Sequence, residues 1–292
     1  MKSSLVSSPL HDSPIVAGEV RVLATGLACV TAPNPGVMTG PGTNSYIVGE
    51  GELAIIDPGP DLPEHIEALE SAIQQLGGTL STIFVTHTHP DHSPAAKILA
   101  EKTGAKLIGQ KIEQDGFQDA SFTPDQEAED GHRYSIGDHG VVAIYTPGHV
   151  DNHFCYLHEG SGAVITGDHI MEGSTVVIIP PAGNMADYIR SLKHLLDFPI
   201  KALAPGHGQL ILEPIKEVEA LVAHRLKREA KVVEVVSQLK QGSLESLTPP
   251  IYDDVDPSLH SVAQYSLWSH LLKLKEEGRV SEQNEQWRWL EA

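Results

Sequence analysis

The apolar run Thr82–Val85 is followed at once by Thr-His-Thr-His-Pro-Asp-His, which gathers His87, His89, Asp91 and His92 at the end of a predicted strand. So many coordinating side chains in one loop require a rigid sheet beneath them and further donors from other loops. Alternation along an extended chain aims His87 and His89 the same way. Pro90 breaks that extension, so Asp91 and His92 converge on a second point. Three later segments repeat the design, each offering one ligand just past a predicted strand: His149 in Thr-Pro-Gly-His after Val141–Tyr145, Asp168 in Thr-Gly-Asp after Ala163–Thr166, and His207 in Pro-Gly-His-Gly after Lys201–Ala204. Open α/β sheets place their ligands at such strand ends.

The rest of the chain supports that architecture. Short β-branched runs predict further strands at Val20–Ala24, Ser45–Val48, Leu53–Ile56, Lys106–Gly109, Cys155–Leu157 and Thr175–Ile178. Helical spacing predicts a helix over Pro63–Leu76 stopped by Gly77-Gly78, a second capped by Ser93 with Pro94 at its first position, and a third over Met185–Leu196. Strands joined by both hairpins and helices imply an α/β layered fold, a mixed sheet with helices outside. Residues 111–139 lack a clear period and are expected to form an irregular excursion. The pattern changes after Leu212: Glu213–Leu239 and Pro257–Glu277 read as helices, separated by Gly242 and Pro249-Pro250, and the chain closes on Trp287–Leu290. This divides the chain into a domain over residues 1–212 and a small helical, winged-helix-like domain over 213–292.

Only Cys29 and Cys155 are available as thiols, too far apart in sequence for a metal knuckle, so a metal here is held by the histidines, sixteen in all, and the carboxylates. A net charge of −19 speaks against a general polyanion binder. No stretch reaches the roughly 18 apolar residues of a membrane span. The segment Met1–Val16 is broken by Ser and Pro where a signal peptide has its apolar run, so a cytoplasmic protein is expected.

His-Thr-His-Pro-Asp-His, then Thr-Pro-Gly-His, Gly-Asp and Pro-Gly-His-Gly resemble, in complete order, the ligand pattern of the metallo-β-lactamase superfamily. Asn34–Gly49, Ile55–Gly59 and the tail from Ala223 extend the resemblance to the group around beta-lactamase-like protein two, which includes an endoribonuclease, over nearly the whole chain. The resemblance implies an αβ/βα sandwich with a winged-helix tail, and a dinuclear centre. His87, His89 and His149 would bind one divalent ion, Asp91, His92 and His207 the other, and Asp168 would bridge both. Ligands without thiolates suit Zn2+, with Mn2+ or Fe2+ as alternatives. The expected nucleophile is a metal-bound hydroxide, with Asp91 orienting it or receiving its proton and His92 and Asp168 counted with it in the catalytic set. By the same resemblance Asp57 holds a ligand loop through hydrogen bonds, Thr43 and Asn44 line the mouth, and His153 is placed to contact substrate. Val150 and Asn152 depart from the family pattern and leave the local hydrogen bonds open. His169 is expected to be a bystander.

Three functions compete: hydrolysis of a small ester, thioester or lactam-like substrate, endonucleolytic cleavage of single-stranded RNA, and a non-catalytic binding module on the same fold. The complete ligand set argues against the last. Residues 1–212 carry 10 basic and 25 acidic side chains, and residues 213–292 carry 10 and 14. Nucleic-acid affinity comes largely from Lys and Arg, so a small-molecule substrate is favoured. The cluster Arg225, Lys227, Arg228 and Lys231 is the local exception, read here as a solvated helix face paired with Glu229 and its neighbours. The acidic tail is expected to cover the mouth or make a homo-oligomer contact.

Overall fold

A computed structural model describes residues 9–111 and 116–291; the start of the Met1–Val16 segment and residues 112–115 of the predicted excursion lie outside them. Strands β1 (Val20–Ala24), β2 (Leu27–Thr31), β3 (Asn44–Glu50) and β4 (Glu52–Ile56) form an antiparallel meander. Helix α1 (Pro63–Leu76) then returns the chain to β5 (Thr79–Phe84), and α2 (Ala95–Thr103) leads to β6 (Lys106–Gly109) and the short β7 (Gln126–Glu127), all parallel to β4. The second sheet holds β8 (Arg133–Ile136), β9 (His139–Tyr145), β10 (Phe154–His158), β11 (Ala163–Gly167) and, after α3 (Met185–Leu195), β12 (Ala202–Pro205). Because β9, β11 and β12 run the same way, their C-terminal ends meet at one edge.

The two sheets face each other and helices cover their outer faces. Ile56, Phe84, Phe154 and Tyr156 belong to the core between the sheets. Their neighbours Ile55, Ile83 and Val85 pack with α1 and α2, and Cys155 and Leu157 pack with α3. Strands buried on both faces read as continuous apolar runs rather than alternating ones; β2, Leu-Ala-Cys-Val-Thr, is such a strand and is absent from the predicted set.

Helix α4 (Pro214–Leu239) belongs to two cores. Its residues Val218 and Leu221 pack with α3, whereas Val232 and Val236 join a separate cluster formed with α5 (Leu244–Ile251) and α6 (His260–Glu276). A small sheet of β13 (Gln241–Gly242), β15 (Gln286–Trp289) and β14 (Val280–Gln283) completes the winged-helix module. No helix among the described residues is long and apolar enough to cross a membrane.

Several expectations require correction. Thr175–Ile178 is an irregular segment that buries Val176 and Ile178, not a strand: its carbonyls at Val176 and Val177 are taken by the side chains of Arg225 and His149. Pro180 and Pro181 also remove ladder donors just beyond it. Ser93 does not cap α2; its hydroxyl donates to Asp119 at 2.7 Å, and the helix begins at Ala95. Pro249-Pro250 do not separate elements but sit inside the last turn of α5, a helix capped by Ser243. The predicted excursion contains β7, β8 and the start of β9.

Away from the strand ends that carry the ligands, His158 is fully buried between Ser161 Oγ at 2.9 Å and His139 Nδ1 at 3.1 Å. Burial, followed by the neighbouring His139, lowers its pKa to about 4, against roughly 6.5 when unfolded. Between those values the unfolded chain binds a proton that the folded one does not, so stability falls as pH drops through this window. Urea midpoints measured from pH 7 to pH 4.5 are expected to decline less steeply in His158→Asn than in the parent; parallel slopes would contradict this.

Candidate metal centre

Every ligand predicted from the sequence follows the C-terminal end of a strand: His87, His89, Asp91 and His92 after β5, His149 after β9, Asp168 after β11 and His207 after β12. Two groups result. In one, His89 Nδ1 lies 3.0 Å from His87 Nε2 and 3.1 Å from His149 Nε2. Asp168 Oδ2 stands 4.0 and 3.8 Å from the same two Nε2 atoms. In the other, Asp91 Oδ2 lies 3.4 Å from His92 Nε2 and 3.3 Å from His207 Nε2. Asp168 Oδ1 is 3.3 Å from both of those nitrogens. One Asp168 oxygen thus faces each group.

The remaining ring nitrogens fix the tautomers. His149 Nδ1 is 2.8 Å from the Val177 carbonyl and His207 Nδ1 is 3.2 Å from the Gly42 carbonyl, acceptors that require an N–H. His92 Nδ1 donates to Asp57 Oδ2 at 2.9 Å. Thr86 Oγ1 spends its proton on Asp57 Oδ2 at 2.7 Å, so it accepts from His87 Nδ1 at 3.0 Å. The Nε2 atoms of His87, His92, His149 and His207 therefore all face the centre.

This arrangement fits divalent cations. His87 and His149 both aim lone pairs at His89 Nδ1, and a single proton there can satisfy only one of them. His92 Nε2 and Asp168 Oδ1 are buried without a hydrogen-bond partner among the described residues. A tetrahedral ion with bonds of about 2.1 Å needs ligand atoms about 3.4 Å apart, close to the spacings found. Burial first, then its histidine neighbours, holds His87 well below the ordinary range, and burial followed by His149 brings His89 to about 4. Burial opposes the charge on Asp168, but His92 and His207 outweigh it and hold the carboxyl well below its usual range. Burial works against the charge on His92 and His207 too, but the Asp91 and Asp168 carboxylates outweigh it and hold His92 well above its ordinary range and His207 at about 9; a cation entering the second group therefore displaces protons from these two rings, whereas the first group already presents neutral imidazoles.

Asp57 occupies the left-handed region at φ 54° and accepts from the Thr86 amide at 2.7 Å besides its bonds to Thr86 Oγ1 and His92. It ties the ligand loop to the end of β4. Such orienting groups contribute roughly 10–100-fold to metal affinity. Asp57→Ala is expected to lower affinity by about that factor, read by competition with a chromophoric chelator; unchanged affinity would make Asp57 a turn former only. Gly206 serves the same end by being small: a Cβ there would lie 2.8 Å from His92 Cε1 and 3.0 Å from Asp168 Oδ1.

Other expected residues fall elsewhere. Thr43 is fully buried rather than lining the mouth, and its hydroxyl donates to Asp91 Oδ2 at 3.2 Å. Asn44 is also buried; it donates to the Pro205 and Gly208 carbonyls and so holds the loop that carries His207. His153 is fully buried and stacked on His87 with ring centroids 5.1 Å apart, out of reach of substrate. Asn152 answers the departure from the family pattern by donating to Thr88 Oγ1 and the Gln110 carbonyl, each at 2.9 Å. His169 is fully buried and its ring nitrogens have no partner among the described residues. The role of Thr86 was missed, since a threonine beside a histidine carries no signal of its own.

The centre opens into a cavity of about 600 Å3. His89, Asp91, His149, Asp168 and His207 line it together with apolar Met38, Met171, Val177 and Ile179. Three of the four basic residues of the α4 cluster are engaged internally: Arg225 is buried and donates to the Val176 carbonyl, Arg228 makes a bidentate pair with Asp254, and Lys231 pairs with Asp253, whereas Lys227 is exposed. Glu229, the partner expected from helical spacing, instead accepts from His270 and Lys273.

Residues 38–207 match the family model described as the metallo-beta-lactamase superfamily, and residues 243–289 match the beta-lactamase associated winged helix domain. A beta-lactamase-like protein 2 homolog of Drosophila melanogaster is 30% identical, with 89% of this chain and 91% of that protein covered. An atrochrysone carboxyl ACP thioesterase of Claviceps purpurea is 28% identical over 79% of this chain and 71% of its own length. Among solved structures, a beta-lactamase domain protein from Burkholderia ambifaria superposes with a TM-score of 0.80 at 19% identity, covering 98% of this chain and 97% of the other.

Proposed function

Because this chain belongs to the metallo-beta-lactamase superfamily and is a hydrolase, we propose that it hydrolyses a small ester, thioester or lactam-like substrate at a dinuclear centre. His87, His89 and His149 would hold one divalent ion, Asp91, His92 and His207 the second, and Asp168 would be shared, with zinc the metal best suited to these donors. Such ions acidify a coordinated water and polarise the substrate carbonyl. The observation that carries the reading is Asp168, which turns one carboxylate oxygen toward each donor group at the wall of an otherwise apolar cavity.

The side chains then have distinct tasks. Asp91 lines the cavity and is held by Thr43, and His92 keeps its carboxyl ionised against the opposing effect of burial; its place at the cavity wall lets it orient the attacking water and receive its proton. That water adds to the carbonyl carbon, the bond to the leaving oxygen, sulfur or nitrogen breaks, and the proton passes to the leaving atom. Apolar Met171, Val177 and Ile179 limit competing solvent. The internal pairing of Arg228 and Lys231 and the burial of Arg225 support this reading over RNA cleavage, because they leave Lys227 as the exposed member of the cluster for a phosphate.

The test is turnover by metal-loaded protein, side by side, of thioesters, lactones, lactams and short single-stranded RNA. Hydrolysis of an acyl substrate without RNA cleavage is expected. RNA cleavage with a steep salt dependence that disappears when Arg225, Lys227, Arg228 and Lys231 are changed to Gln would overturn the reading.

A further inference from the structure

The space at the metal centre does not end with its own cavity. A second cavity of about 520 Å3 shares Met38, Met171, Val176, Val177 and His207 as lining residues and continues between the sandwich and the C-terminal helices. Its distal wall includes Val255, Leu259, Val262 and Ala263, contributed by the approach to α6 and its first turn. Leu259 and Val262 are 51% and 42% exposed, and Val37 and Met38 of the loop before β3 are 100% and 59% exposed. Large aliphatic side chains left this open along a cleft continuous with a reaction centre mark a surface that an apolar ligand would cover.

The charged groups in the cleft sharpen the choice of ligand. Arg225 and Arg228 are already engaged by the Val176 carbonyl and by Asp254. His224 is exposed at the rim and is held below its ordinary range by partial desolvation and then by those two arginines. Glu172 also lines the cleft, against Gly208 beside His207, and would repel an anionic group passing there. The occupant is therefore uncharged at its distal end.

We propose that this cleft is an acyl subsite, taking the apolar arm of a medium- to long-chain acyl thioester or ester whose carbonyl lies at the metal centre. The proposal rests on the hydrolytic reading above, deepens it to a substrate class, and makes Leu259 and Val262 specificity-determining residues supplied by the C-terminal module. Each methylene moved from water into an apolar site is worth about fourfold in binding.

The experiment compares kcat/KM of the whole metal-loaded chain on acetyl, butyryl, octanoyl and decanoyl thioesters of N-acetylcysteamine, and measures decanoate binding by calorimetry. The value is expected to rise at least about tenfold from butyryl to octanoyl. Val262→Trp, which fills the cleft, and Leu259→Asp, which puts a charge in it, are each expected to lower the decanoyl-to-acetyl ratio about tenfold and to weaken decanoate binding similarly. Both positions are exposed enough for the variants to fold. A flat chain-length profile, or decanoate binding that neither variant changes, overturns the acyl subsite while any turnover of the acetyl thioester leaves the hydrolytic reading standing. If no thioester is hydrolysed yet decanoate binds and Val262→Trp weakens it, the cleft assignment is supported and the thioesterase chemistry fails.

Discussion

Replacing Asp168 with alanine is expected to lower kcat/KM by more than the roughly 10–100-fold that follows from losing a group that only orients a ligand, and to reduce bound metal. Oδ1 sits 3.3 Å from both His92 and His207, and Oδ2 faces His87 and His149. No other carboxylate among the described residues faces both groups, so its loss weakens both at once. Metal content and kcat/KM measured on Asp168→Ala beside Asp57→Ala separate the roles. Equal losses would show that Asp168 does no more than Asp57, which touches His92 and Thr86 alone.

The second large effect is expected at Asp91. Asp91→Asn keeps the size and the bond to Thr43 but removes the negative charge and the proton acceptor. A positioned base contributes about 10²–10⁴-fold, and a loss of kcat in that range is expected. Metal analysis of the same sample distinguishes the two duties assigned to this residue: full occupancy with low kcat assigns the loss to proton transfer, whereas low occupancy assigns it to ligation. Full activity in Asp91→Asn would remove Asp91 from the mechanism.

The strand-end histidines and carboxylates were legible because their chemistry is written in residue type and their position in the β5, β9, β11 and β12 patterns that precede them. What lies under them was less so. Asn44 read as a mouth residue because its motif gives the backbone turn but not the burial; in the fold its amide holds two carbonyls of the His207 loop. His153 looked reachable four residues after His149, yet β10 carries it behind His87. The run Thr175–Ile178 has the composition of a strand and lacks only a neighbour, since Arg225 reaches one carbonyl from far along the chain and His149 takes the next. Those contacts join distant segments, and no local period encodes them. The pairing of Arg228 and Lys231 with Asp254 and Asp253 was hidden for the same reason, because α5 folds back on α4.

The centre itself is tested most directly by counting metal. The 292-residue chain loaded with zinc, freed of excess ion and analysed for metal against amino-acid content is expected to hold two ions, one for each of the two donor groups. A stoichiometry of one would contradict the dinuclear centre, and a value of zero after loading with zinc, manganese and iron in turn would contradict the whole assignment of the histidines and carboxylates at these strand ends.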